Sequence, residues 1–106
     1  MLKTTKFDAA DYLDTAERQA VYISAALETG DAAFVRDAVG IVARARGMSE
    51  VARAAGLNRE SLYKALGEAG NPEFSTMLGV MRALGLELTA RPIKSKPVRR
   101  RTRKAA

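Results

Sequence analysis

Apolar residues recur at three- and four-residue spacing along most of the chain, and glycines or helix-capping residues punctuate the pattern. Residues 1–6 lack that spacing and read as a loose arm, with Phe7 as its anchor. Asp8 caps a short helix carrying Ala9, Ala10, Tyr12 and Leu13, and Thr15 caps the next. Over residues 15–28, Ala16, Ala20, Ile23 and Leu27 fall near one helical face, with Tyr22 beside it. Thr29-Gly30 ends that helix. Asp31 caps a third, which runs to about Arg46 and turns Phe34, Val35, Ala38, Val39 and Val42 inward. Arg44 and Arg46 suit the negative end of its dipole, and Gly47 stops it.

Residues 48–66 form the most informative pattern. Ser49 caps a short helix with Val51, Ala52 and Ala55 on one side. Gly56 allows positive φ and a sharp turn, and Leu57 plugs the corner. Asn58 caps a second helix whose inner face holds Leu62, Ala65 and Leu66 and whose outer face holds Arg59, Glu60, Tyr63 and Lys64. Small Ala52, the Gly56 corner and Leu62 are spaced to let two helices cross closely. Long hydrogen-bonding side chains at the start of the second helix are what a major-groove reader requires. The competing reading is a helical hairpin that is only structural.

Residues 67–73 read as a loop, with Gly70-Asn71-Pro72 as its turn. Ser75 or Thr76 caps a last helix with Met77, Leu78, Met81 and Leu84 inward, closed by Gly85. Leu86-Glu87-Leu88-Thr89-Ala90 then alternates apolar and polar, which predicts a short strand. A lone strand leaves its backbone groups unpaired. It either pairs with its symmetry mate in a homodimer, through Leu86, Leu88 and Ala90, or packs as an extended tail on its own domain.

Taken in order, the words from Ala43 (Ala-Arg-Ala-Arg-Gly-Met-Ser-Glu-Val-Ala-Arg-Ala-Ala-Gly-Leu-Asn-Arg-Glu-Ser-Leu-Tyr-Lys-Ala-Leu), then Gly-Asn-Pro-Glu-Phe-Ser-Thr and Ala-Leu-Gly-Leu-Glu-Leu, form a distinctive series. With Phe-Asp-Ala-Ala-Asp-Tyr-Leu-Asp-Thr and Glu-Thr-Gly-Asp upstream, it resembles the antidote proteins of HigBA-type toxin–antitoxin modules. Those belong to the phage-repressor-like Cro/CI, or Xre, type. The resemblance covers about residues 5–92. It implies an all-α domain of five to six helices, lambda-repressor-like, with an N-terminal helical extension and a short C-terminal strand. It implies two partners: a small RelE/ParE-like toxin and the double-stranded operator DNA of its own operon. Matched to the phage-repressor motif, Asn58, Arg59, Glu60 and Lys64 face bases, while Ser49, Ser61 and Ser75 suit phosphates. Tyr63 stacks on sugar or closes the core edge. Many phage repressors carry glutamines where Arg59 and Glu60 stand, so their operators cannot be transferred to this chain.

Charge sharpens this division. The net +6 is concentrated: Lys94, Lys96, Arg99, Arg100, Arg101, Arg103 and Lys104 give the tail seven positive charges and no acid, leaving −1 elsewhere. The organisation is therefore an arm (1–6), N-terminal helices (7–47), a helix-turn-helix region with strand (48–92) and a basic tail (93–106) with little reason to fold alone. That tail suits DNA phosphates without sequence preference, or is simply solvated. Asp8, Asp11, Asp14 and Glu17 have two readings as well, either solvated helix starts or a contact surface for a basic toxin.

The chain has no cysteine and no histidine, so disulfides, the usual zinc ligands and Ser-His or Cys-His pairs are absent, and no cofactor is expected. With no nucleophile–base pair or glycine-rich phosphate loop, an enzyme is the least favoured class. No apolar run approaches the roughly 20 residues of a membrane span, and the N-terminus lacks a signal-peptide core. A cytoplasmic location fits. Two rivals stand beside the antitoxin reading: a phage-type transcriptional regulator with no toxin partner, and a protein-binding adaptor that uses the hairpin as scaffold.

Overall fold

In the computed structural model, residues 13–93 are described and form five helices: α1 (Ala16–Glu28), α2 (Ala32–Arg46), α3 (Met48–Ala54), α4 (Arg59–Ala65) and α5 (Phe74–Ala83). All but Leu13 of the helix expected near Ala9–Leu13, and the basic tail from Lys94, lie outside the described residues. No described helix is long and apolar enough to cross a membrane.

Three helix starts are fixed by the side chains the sequence singles out. The Thr15 hydroxyl accepts from the Arg18 N–H at 3.1 Å, Asp31 Oδ1 from the Ala33 and Phe34 N–H groups, and Asn58 Oδ1 from the Ser61 N–H at 2.7 Å. Two other starts differ from expectation. Ser49 is not a cap: Gly47, at φ 113°, ends α2 and opens α3, and Ser49 sits inside the first turn. Neither Ser75 nor Thr76 caps α5, which begins at Phe74 after Glu73 and has no side-chain cap.

Thirteen residues make one core, drawn from every helix and from Leu13. Val39, Val42, Val51, Leu62, Val80 and Leu84 are sealed from water within it, each worth about 1.5–3 kcal/mol in transfer free energy. The inward faces are rotated from those predicted at three places. In α1 the buried stripe is Gln19, Ile23 and Ala26, while Ala16 and Leu27 face outward. In α2 Phe34 is half exposed, and the inward face continues instead through Gly40 and Ala43. In α5 Val80 takes the core position and Leu78 is exposed. Gly40 is buried because α2 lies against the end of α4: a Cβ there would stand 3.4 Å from the Leu66 carbonyl oxygen.

The strand expected over residues 86–90 is not formed; among the described residues there is no strand. The cause lies one residue upstream. Gly85 (φ 77°) lets the chain double back, so that the Leu86 N–H bonds to the Met81 carbonyl at 2.9 Å and the Gly85 N–H to the Arg82 carbonyl. Leu86 and Leu88 then pack, half-buried, against the core of their own chain. The alternation in this segment reflects a helix cap and a packed tail, the second of the two sequence expectations.

Two arginines tie the ends together. Both terminal nitrogens of Arg46 donate to the Leu84 carbonyl, at 3.2 and 2.9 Å, so α2 neutralises the carboxyl end of α5 as well as its own. Arg36 Nη1 donates to the Gly70 carbonyl at 3.0 Å and pins the loop between α4 and α5.

Candidate nucleic-acid interface

The α3–α4 hairpin is held by a closed set of backbone bonds. The Gly56 N–H bonds to the Arg53 carbonyl at 3.2 Å and the Leu57 N–H to the Ala52 carbonyl at 2.8 Å, with Gly56 at φ 77°. This pairing ends α3 with a left-handed residue followed by an apolar one. Leu57 packs, half-buried, on the core edge, as the corner requires. Asn58 then opens α4 immediately. Leu62, fully buried, and Leu66 fix the rotation of α4 against the body.

That rotation leaves Arg59, Glu60, Ser61, Tyr63 and Lys64 all exposed. They occupy the first two turns of α4. Arg59 is not extended into water: its guanidinium lies 4.9 Å from the centroid of the Tyr63 ring, and Nη2 donates to the Tyr63 hydroxyl at 3.4 Å. Stacking on an exposed ring stabilises the arginine by about 0.5–1 kcal/mol and restricts its rotamers. Tyr63 thus touches a neighbour one turn earlier on its own helix.

The predicted site residues do not all gather in one place. Asn58 to Lys64 form one continuous surface. Ser49 is exposed on the first turn of α3, and Ser75 on the first turn of α5. Since Gly47 and Glu73 provide no side-chain cap, the first-turn N–H groups of α3 and α5 have no capping oxygen. Leu86 and Leu88 face their own core, and Ala90 is exposed. Sequence reasoning missed Arg36 and Arg46 as anchors of this framework. Their partners are carbonyls more than 30 residues away, and local spacing carries no trace of them.

The matches to known proteins agree with this architecture in extent. A family described as "Probable addiction module antidote protein" matches residues 3–92, a span that contains every described helix. A protein of Haemophilus influenzae, itself uncharacterised, is 44% identical over 81 residues, covering 76% of this chain and 84% of that one. No solved structure matches the chain. With helical body and hairpin both inside the matched span, the chain belongs to this family of addiction-module antidote proteins, and membership implies a cognate toxin as partner.

Proposed function

We propose that this protein is the antitoxin of a type II toxin–antitoxin module of HigA-like, Xre type. It neutralises a RelE/ParE-like toxin by direct binding and represses its own operon as a homodimer on operator DNA. The observation that carries the DNA-binding half is the exposed outer face of α4 directly after a capped Gly56 corner. Arg59 and Lys64 recognise guanine O6 and N7, and Glu60 accepts from cytosine N4. Tyr63 holds Arg59 in a preformed stack. Asn58 both caps α4 and approaches the bases. Ser49, Ser61 and Ser75 contact phosphates, with uncapped first-turn N–H groups beside Ser49 and Ser75.

The homodimer of this reading does not form through a strand at residues 86–90, because Leu86 and Leu88 are packed against the core of their own chain. Its two recognition helices would meet half-sites about one helical turn, roughly 34 Å, apart. Repression of its own operon places the protein in the cytoplasm.

The test is binding to the DNA upstream of its own gene against a scrambled duplex, at two salt concentrations. Preference for the native duplex, weakened by about 1–3 kcal/mol and relaxed at one base pair in Arg59→Ala, is the expected result. Equal, salt-labile binding to both duplexes would assign DNA contact to the basic tail alone.

A further inference from the structure

A second surface shares no residue with the recognition hairpin. The end of α1, the start of α2, the 70–72 loop and α5 enclose an apolar groove of about 540 Å³, lined among others by Leu27, Val35, Pro72, Phe74 and Met77. Its floor reaches the core through Met81, but its lip does not close. Phe74 is 70% exposed and Leu27 41%, and Phe34, beside the lining residues Ala33 and Val35, is 49% exposed. Contiguous exposed apolar side chains of this size on a small domain mark an interaction site.

The charges around the lip decide what fits. Glu28, Asp31, Asp37 and Glu73 flank the lining residues and are exposed. Two nearby arginines are already engaged, Arg36 with Asp37 at 2.9 Å and Arg91 with Glu28 at 3.1 Å. The rim is net acidic around an apolar floor. DNA is repelled by such a rim. A second copy docking groove to groove would bring like charges together. The chain's own basic tail is electrostatically compatible, but residues 93–106 offer only Ile93, Val98 and two terminal alanines as apolar filling.

We propose that this groove docks the cognate toxin, through a segment with apolar side chains on one face and lysines or arginines flanking them. The assignment rests on the antitoxin reading above. It places toxin contact away from α4.

The experiment uses the full chain co-expressed with the protein encoded by the adjacent gene of the same operon. Affinity is measured by calorimetry for wild type, Phe74→Glu and Leu27→Glu. A photo-crosslinking p-benzoylphenylalanine in place of Phe74 identifies the occupant by mass spectrometry. The expected result is at least tenfold weaker toxin binding in both variants, with the unfolding midpoint unchanged in both, operator affinity unchanged in Leu27→Glu, and a crosslink to the toxin. If a charged variant unfolds, the crosslink alone decides. Undiminished binding in folded variants, or a crosslink to a second copy or to residues 1–12 or 94–106, would overturn the groove assignment while leaving the antitoxin reading intact. Failure of the wild-type chain to bind the neighbouring protein would remove that pairing itself, and the groove assignment with it.

Discussion

The outer face of α4 and the α1–α2–α5 groove rest on the same small core and offer water opposite chemistries. The first is polar and mixed in charge, presented by a seven-residue helix whose entry and exit are closed by backbone and capping bonds. The second is apolar with an acidic rim, and two of its lining apolar side chains, Leu27 and Phe74, are exposed. A polar helix face at the surface is stable without a partner. An open apolar groove leaves transfer free energy unrealised until something covers it. On this comparison, the proposed DNA contact falls to the polar face and the proposed toxin contact to the apolar one.

The strongest way to break the comparison is to remove what both faces share. Leu62→Ala empties a fully buried site in α4 and should cost about 3–5 kcal/mol, read as a lower urea midpoint at unchanged m-value. Loss of operator binding well before loss of toxin binding on heating would show that the hairpin melts alone. Gly70→Ala acts at the joint between the two regions. A Cβ there runs into the backbone carbonyl oxygens of Lys64 and Ala65, so about 2–3 kcal/mol should be lost and both bindings weakened. Thermal unfolding by differential scanning calorimetry checks this.

Asn58→Ala separates the faces. It removes the acceptor for the Ser61 N–H and should cost about 1 kcal/mol of stability. Operator affinity should fall further than that, with toxin affinity untouched. The smallest effect is expected at the groove rim. The Arg91–Glu28 pair is mostly exposed on both sides, so Arg91→Ala should change stability by no more than about 0.5 kcal/mol. By freeing Glu28 it should slightly speed association with a basic partner at low salt, as measured by stopped-flow kinetics.

Local rules were legible wherever one residue sets the geometry of its own neighbours. Thr15, Asp31 and Asn58 cap the helices they were expected to cap, because a short oxygen-bearing side chain needs only the next turn as a partner. Gly56 and Gly85 turn the chain where the pattern breaks. Those same rules failed where a residue had a second role available. Ser49 has cap chemistry, but Gly47 already provides the turn one residue before α3 begins. Leu86 alternates like a strand residue, but its N–H completes the end of α5.

The sequence by itself determined the all-α class, an Asn-capped helix after a glycine corner, a near-neutral body and a strongly basic tail, and it wrongly added a C-terminal strand. It also pointed to the antidote family that the matching span now shows. These follow from spacing, composition and short motifs, which act over four or five residues. Only the tertiary structure decided which face of each helix is inward, that Arg36 and Arg46 anchor carbonyls 34 and 38 residues away, and that Leu27, Phe34 and Phe74 stay open to water. Helical periodicity fixes a stripe only to within about one residue's rotation, and the choice among neighbouring stripes is made by the elements that pack against it.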